Sequence, residues 1–225
     1  MDKRIFCFWL GNSPMSERRQ QNLDRISQIT KCEVTFITDD TISEYIKSDA
    51  PFHEGYQYLS GTTKCDYARA YFMHHYGGGY TDIKIIYYPW TLSFNELDDP
   101  SIWVVGYREI NGGGVARLSP EKKELQEQLC KNWGYLLGNG AFICRPNTPF
   151  TREWMDELNK TMDEYLPELK KNPARDSRDC LGKDGVSMFP IPWAGIAGCI
   201  FHPLCMKYVD HLSYALYPPQ FVDYL

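Results

Sequence analysis

Two pairs of oppositely charged residues lie within the stretch SGTTKCDYARAYFMHHYGGGYTDIKIIYYP, residues 60–89. Asp66 and Arg69 are three residues apart, and Asp82 and Lys84 are two residues apart. Each pair joins an acid to a base, so each can either neutralise itself on the surface or present paired charges to a ligand. The spacing of the residues around each pair indicates which element carries it.

The first pair lies on a predicted helix. Apolar positions at the spacing i, i+3, i+4 and i+7 are Ala68, Tyr71, Phe72 and His75. Asp66 and Arg69 fall on a neighbouring face, where residues three apart lie side by side. A solvated surface ion pair of little energetic consequence is one interpretation. The triple glycine 77–79 then ends the helix, since glycine adopts the left-handed conformation without steric penalty, and it predicts a tight turn into a strand.

The second pair lies on the predicted strand that follows, over residues 80–87. The strand alternation places Asp82 and Lys84 on the same side as Tyr80. The isoleucines of this segment indicate a buried strand, and buried strands rarely carry charged side chains without a use for them. We therefore expect Asp82 and Lys84 at the mouth of a cleft.

The run CDYARAYFMHHYGGGYTDIK resembles the signature SDxxRxxxLxxxGGxYxDxD of glycosyltransferases with a DXD sugar-binding region. This group is similar to family 32 and includes mannosyltransferases and capsular polysaccharide transferases. The resemblance implies a GT-A fold that binds a nucleotide-diphosphate sugar. It implies that Asp66 and Arg69 hold the hydroxyls and phosphate of the donor, and that Asp82 is the first acid of the DXD motif.

The sequence departs from this signature at Lys84, which stands where the second DXD acid is expected. Two such acids usually hold Mn²⁺ or Mg²⁺, which neutralises the leaving diphosphate. Lys84 could replace that charge, because Asp82 and Lys84 sum to zero as two acids and a divalent ion do. Alternatively Asp82 keeps a metal with water and a further ligand, or the protein binds a donor without turning it over.

Further candidate residues come from the first third of the chain. Trp9 and Gly11 follow the first predicted strand, where ligands bind in doubly wound sheets, and they also resemble the family's opening IW-x-G. Asp39 follows the second strand and either accepts hydrogen bonds from a ribose or base, or caps a short helix at 41–47. Tyr56 and Tyr58 are candidates for sugar contacts.

The second half adds weaker candidates. The glycine-rich loop 109–114 is expected to be a mobile flap over the donor or acceptor, and the breaker-rich loop 170–185 to shape the acceptor side. Asn139 resembles the asparagine that the family brings near the sugar, although Asn-Gly also favours a turn. The family's metal- or diphosphate-contacting tail has no counterpart here unless His202 or His211 replaces it; structural roles for both are the alternative.

The remaining pattern indicates a single α/β domain spanning residues 1–225. A domain excised from a longer protein is the alternative. Predicted strands and helices follow one another at 4–10, 16–29, 33–38, 102–107, 120–133 and 148–165. With the stretch 60–89 they predict a Rossmann-like fold, a mostly parallel sheet flanked by helices, and the resemblance implies that it is of the GT-A type. A dinucleotide-binding oxidoreductase is disfavoured, because no GxGxxG follows the first strand.

Composition narrows the classes of protein further. The 225 residues are 43% hydrophobic and carry a net charge of −5, which disfavours binding to nucleic acid. No apolar run approaches the roughly 18 residues of a membrane span. The eight cysteines show no zinc-binding spacing. We therefore expect reduced thiols and a cytoplasmic, bacterial or viral enzyme.

The resemblance to these transferases implies a hexosyltransferase of polysaccharide biosynthesis. It would move a hexose from a UDP- or GDP-sugar to a glycan acceptor hydroxyl, and the resemblance implies retention of configuration. Asp66, Arg69 and Lys84 are the expected catalytic residues, and Asp82 is the expected ligand of any metal. A degenerate domain that binds a nucleotide sugar or a glycan without turnover is the alternative.

Overall fold

The computed structural model describes residues 2–222 and contains one six-stranded sheet with six α-helices over that range. The strands are β1 (Arg4–Trp9), β2 (Glu33–Thr38), β3 (Gly78–Thr81), β4 (Val104–Arg108), β5 (Leu137–Cys144) and β6 (Leu212–Ser213). The helices are α1 (Glu17–Thr30), α2 (Gly61–His75), α3 (Thr91–Asn95), α4 (Lys123–Lys131), α5 (Pro149–Lys171) and α6 (Gly198–Lys207).

The sheet has the strand order β2-β1-β3-β5-β4-β6. β1 is parallel to both β2 and β3, and β4 is parallel to β6. β5 is antiparallel to its neighbours β3 and β4, so five of these six strands run in one direction. The expectation of a mostly parallel α/β sheet is confirmed. The antiparallel β5 places its N-terminal half beside the carboxyl ends of β3 and β4.

Hydrophobic side chains fill a core on each face of the sheet, as the period-two alternation of buried strands requires. Along β1, Phe6 and Phe8 point to one face, where they pack with α2, α5 and α6, whereas Ile5 and Cys7 point to the other. The second face is covered by apolar residues of α1 and α3. Helices on both faces therefore bury the sheet between two hydrophobic layers.

Helix α2 lies inside the molecule rather than on its surface. Ser60 caps it by accepting a hydrogen bond from Thr63 N, and ten of its fifteen residues are buried. Gly61, its first residue, touches the end of β1 so closely that a Cβ there would lie 2.1 Å from Leu10 O. This contact brings the helix start to the carboxyl end of β1.

The glycine run makes the expected tight turn from α2 into a strand, but only Gly77 lies outside that strand. Gly77 and Gly78 have positive φ angles of 67° and 90°, which favour glycine. However, Gly78 and Gly79 already belong to β3, which ends at Thr81 instead of continuing to residue 87. The prediction that Asp82 and Lys84 lie on one side of a strand is therefore wrong. Both residues lie in the irregular segment after β3.

Three other local predictions need correction. The expected helix at 41–47 is a single 3-10 turn, Ile42–Tyr45. The strand predicted at 102–107 begins two residues later, as β4. Helix α5 does not end before Pro167 but continues to Lys171. Proline removes one backbone hydrogen bond there, and the complete burial of Leu169 in the following turn offsets that loss.

All eight cysteines are free thiols in the structure, which agrees with the expected absence of a disulfide framework. Across residues 2–222, no helix has the length and apolar character that crossing a bilayer demands.

Replacing Gly61 tests the contact between α2 and β1. We expect Gly61→Ala to lower the free energy of unfolding by about 1–3 kcal/mol, because the new methyl group meets a backbone carbonyl that cannot rotate away. Gly134→Ala is the control, since a Cβ at Gly134 meets no atom within 4 Å. Urea unfolding of both variants measures the difference, and equal stabilities would refute the contact.

Candidate functional site

A cavity of about 1190 Å³ opens at the carboxyl ends of β1, β3 and β4. Trp9 ends β1, Asp82 follows β3 and Glu109 follows β4, and all three line the cavity. Asn139 joins them from the N-terminal half of the antiparallel β5. The sheet thus gathers residues from four strands at one edge, where open α/β sheets bind ligands.

The Asp66–Arg69 pair lies in the wall of this cavity. Asp66 is 4% exposed and Arg69 is 8% exposed, and their nearest side-chain atoms are 2.9 Å apart. The interpretation as a solvated surface pair is therefore wrong. The Arg69 guanidinium also donates to Asn139 O at 2.8 Å and lies 4.5 Å from the centre of the Tyr80 ring.

Asp82 and Lys84 form a second ion pair beside the first. Lys84 Nζ donates to Asp82 Oδ2 at 2.7 Å, and the Tyr80 hydroxyl donates to Asp82 Oδ1. Arg69 lies 3.9 Å from Asp82 Oδ1, which links the two pairs. Asp66, Arg69, Asp82 and Lys84, the charge cluster, therefore carry no net charge when all four are ionised.

The two carboxylates of the charge cluster differ in acidity. Burial raises the pKa of Asp66 to about 6, because the attraction of Arg69 does not fully compensate for lost hydration and Asp82 adds repulsion. Burial also acts on Asp82, but the charges of Lys84 and Arg69 and the hydrogen bonds from Lys84 and Tyr80 outweigh it and lower its pKa. Asp82 is thus the more firmly ionised of the two.

These contacts do not suit a divalent cation at Asp82. Asp82 Oδ2 accepts a hydrogen bond from the Lys84 ammonium and Oδ1 accepts one from the Tyr80 hydroxyl. A metal ion bound to Asp82 would therefore have to displace the Lys84 ammonium from Oδ2. Within residues 2–222, no three His, Cys, Asp or Glu side chains group closely enough to hold a metal ion. Asp82 is therefore already paired with a cation in this structure.

Two buried polar atoms beside the charge cluster lack hydrogen-bond partners among the described residues. They are Arg69 Nε, a donor, and Asn139 Oδ1, an acceptor. Buried polar groups are usually satisfied, and an unsatisfied one costs about 1–3 kcal/mol. Asn139 lies within β5, so the interpretation of Asn-Gly as a turn is wrong.

The charges that line the whole cavity are mainly positive. Cationic side chains are contributed by Arg19, Arg69, Lys84, Arg117 and Arg178, and carboxylates by Asp66, Asp82 and Glu109. Five cations and three anions leave a net charge of +2, although the chain as a whole carries −5. The cavity is therefore electrostatically suited to an anion.

The other predicted donor-binding residues have different positions. Trp9 lines the cavity, and its ring nitrogen donates to Ser13 O at 2.8 Å. Gly11 and Asp39 lie beside the cavity and bind each other, with Gly11 N donating to Asp39 Oδ2 at 2.6 Å. Asp39 does not cap the 3-10 turn that follows it, since that turn has no side-chain cap.

Of the remaining candidate residues, some line the cavity and others lie away from it. Tyr56 and Tyr58 pack against the hydrophobic core beside α2 and are not part of the cavity lining. His211 stacks on Trp103 away from the cavity, with ring centroids 3.5 Å apart, so it does not contact a ligand bound there. His202 does line the cavity and is 2% exposed.

Both predicted loops border the cavity. Glu109, Ile110 and Asn111 of the glycine-rich loop line it. Ser177 and Arg178 line it from the segment after α5, and Ser177 O accepts a hydrogen bond from Thr62 N at the start of α2.

Sequence reasoning missed several lining residues, notably Arg19, Phe221 and the role of Glu109. An acid within two residues of the end of a predicted strand is a signal that finds both Glu109 and Asp39. No comparable pattern marks Arg19, since only the folded chain brings it to this edge. Phe221 places its ring 4.1 Å from Lys84 Nζ.

Comparisons with known proteins give limited further information. No protein-family model matches this sequence, and no curated protein matches it. Among solved structures, the chain is similar to one titled "PaToxG Glycosyltransferase", with 14% sequence identity and a TM-score of 0.40. The alignment covers 76% of this chain and 64% of that chain. A similarity of this degree does not establish a family, a substrate or a mechanism.

Neutralising Asp66 tests its burial. Its raised pKa means that the folded state holds the proton at higher pH than the unfolded chain, where the ordinary value is 3.8. The stability of the native protein relative to Asp66→Asn should therefore fall as pH rises from about 4 to about 6, by at most ~3 kcal/mol. Urea unfolding at several pH values measures this difference.

Asp156→Asn is the matched control, because Asp156 is exposed on α5. Its stability relative to the native protein should stay constant over the same pH range. If the difference in free energy of unfolding between Asp66→Asn and the native protein does not change with pH, burial does not raise the pKa of Asp66.

Proposed function

We propose that this protein is a glycosyltransferase of the GT-A type that moves a hexose from a nucleotide-diphosphate sugar to a glycan acceptor hydroxyl, with retention of configuration. The observation that carries the proposal is the charge cluster in the wall of a large, positively lined cavity. The chemical classes of donor and acceptor are those implied by the resemblance of residues 60–89 to the glycosyltransferase signature. A cavity of about 1190 Å³ exceeds the usual range for small ligands of about 300–1,000 Å³, as a nucleotide sugar requires.

The sugar of the donor is proposed to lie against Asp66, Arg69 and Asn139. A hydroxyl group both donates and accepts hydrogen bonds, and the wall offers it a carboxylate, an unsatisfied donor and an unsatisfied acceptor. Small rotations of Asn139 or Arg69 on binding would satisfy atoms that are unpartnered in the described structure. The free energy that these unsatisfied atoms cost in the unbound protein would then be recovered when the sugar binds.

The diphosphate is proposed to lie against Lys84 and Arg69, with the net charge of +2 around the cavity attracting it. During transfer, the bond between the sugar and the diphosphate breaks and the leaving oxygen takes the electron pair. Fixed positive groups at that oxygen stabilise the transition state more than the bound donor. Lys84 would supply the charge that a metal supplies elsewhere, and the transfer would be metal-independent.

A second candidate function is donor binding without turnover. It is favoured by the ion pair itself, because Lys84 is held by Asp82 at 2.7 Å and covered by the Phe221 ring. If Lys84 keeps these contacts, it would bind a diphosphate weakly. It would also not stabilise the negative charge that develops on the leaving group. Hydrolysis of a bound donor distinguishes the two, since a pure binding domain leaves the donor intact.

Lys84→Asp tests the role of Lys84. We expect the native protein to bind one of a panel of UDP-hexoses and GDP-mannose in EDTA, measured by titration calorimetry. Lys84→Asp should weaken binding at least about tenfold in EDTA, because a second carboxylate repels the diphosphate, and Mn²⁺ should restore it. Lys84→Met separates the loss of the positive charge from the gain of a negative one.

Lys123→Asp is the control for added negative charge, because Lys123 is exposed on α4 and does not line the cavity. Its donor affinity should equal that of the native protein. Binding by the native protein only in the presence of Mn²⁺ would refute the substitution of lysine for a metal. Failure to bind any donor would refute the proposed function as a whole.

A further inference from the structure

A buried glutamate lies in the cavity wall beyond the charge cluster. Glu109 directly follows β4 and is 9% exposed, and its side chain lines the cavity. Its Oε1 accepts a hydrogen bond from Ile110 N at 2.8 Å, but no cation forms an ion pair with it at hydrogen-bond distance within residues 2–222. Burial raises its pKa. A carboxylate in this state still has capacity to accept hydrogen bonds.

His202 lies behind this carboxylate. Its Nδ1 accepts a hydrogen bond from Ala116 N at 3.1 Å, so the hydrogen of the neutral ring is on Nε2. Burial lowers the pKa of His202 to about 4, against a smaller opposite effect of the Leu137 carbonyl, so the ring is neutral at pH 7. Nε2 is buried and makes no hydrogen bond of good geometry within residues 2–222. Two acceptors lie near it, the Leu137 carbonyl and Glu109 Oε2, the latter at 3.7 Å.

The glycine-rich loop closes on the same carboxylate. A Cβ at Gly114 would lie 2.2 Å from Glu109 Oε1, so a larger residue there would push the carboxylate aside. Gly140 connects this region to the charge cluster, because its carbonyl accepts from Asp82 N at 2.8 Å and its N–H donates to the Tyr107 hydroxyl at 3.2 Å. Glu109 and the proposed donor site therefore line the same cavity.

We propose that Glu109 holds the acceptor hydroxyl, as the acceptor subsite of the reaction proposed above, and that His202 is a positioning residue for it. The Glu109 carboxylate accepts a hydrogen bond from the hydroxyl that attacks the donor sugar. As the new glycosidic bond forms and the bond to the diphosphate breaks, the hydroxyl proton passes to the leaving diphosphate oxygen, which has taken the electron pair. His202 presents its Nε2–H towards Oε2 and keeps the carboxylate aimed into the cavity. The ligand class is a neutral polyol, because a buried carboxylate without a paired cation favours a hydrogen-bond donor and repels an anionic acceptor.

The inference depends on the proposed function, and water serves as the simplest acceptor for its test. Donor affinity is measured by calorimetry and donor hydrolysis by release of the nucleoside diphosphate, with methyl glycosides of glucose, galactose and mannose added as polyol acceptors. We expect Glu109→Gln to reduce hydrolysis and transfer about ten- to a hundredfold, with donor affinity changed less than about twofold. Gly114→Ala should reduce both rates in the same way, because it displaces the carboxylate.

Two substitutions separate positioning from structure at His202. The amide of His202→Asn can replace Nδ1 towards Ala116 N but leaves no N–H near Glu109, whereas His202→Gln can return an N–H towards the carboxylate. We expect Asn to lower the rates and Gln to restore them to within about threefold of the native values. Equal losses in both variants, accompanied by lower melting temperatures, would overturn the positioning role.

Glu124→Gln is the matched control, since Glu124 is exposed on α4 and away from the cavity lining. Native rates in Glu109→Gln would overturn the acceptor subsite while leaving the donor site intact, and so would a native protein that binds donor but neither hydrolyses nor transfers it. Absence of donor binding in the native protein would instead refute the proposed function, and the inference with it.

Discussion

The structure depends on pairing four charges at the edge of the sheet, of which Asp66, Arg69 and Lys84 are buried and Asp82 is partly exposed. An isolated charge in a protein interior is strongly disfavoured, and a buried pair is tolerated only when its geometry and hydrogen bonds are good. Arg69 meets this requirement by contacting Asp66, Asp82 and the Asn139 carbonyl at once. These partners belong to α2, to the segment after β3 and to β5. The guanidinium therefore fixes the relative positions of three elements at the edge of the sheet.

The sheet topology explains why this edge can be a site. β5 runs against its neighbours, so its first residues lie where β3 and β4 end. Glycines allow the close approaches that this arrangement needs. A Cβ at Gly61 would collide with Leu10 O, and one at Gly138 would lie 2.0 Å from the Tyr107 ring. Removing side chains at these positions allows backbone and aromatic groups to occupy the same small region.

The cavity is chemically asymmetric. On one side lie paired charges that involve two cations, which suits a phosphorylated ligand. Farther along its wall, Glu109 lies without a close cation beside the neutral ring of His202. A carboxylate that retains capacity to accept a hydrogen bond suits a neutral hydroxyl better than a phosphate. The cavity thus contains two chemically different regions, as the proposed transfer between two molecules requires.

Local pattern was sufficient for much of the chain and for the identity of the charged residues. The sequence by itself determined β2 to the residue, α1 to within one residue at each end and the position of Asp82 and Lys84 at a cleft, because helix periodicity and strand patterning are properties of short segments. Tertiary structure decided that the first pair is buried, that β3 stops at Thr81 and that α5 continues past Pro167. It also decided that Glu109 and His202 meet, since burial and contacts between distant segments arise only when the whole chain packs.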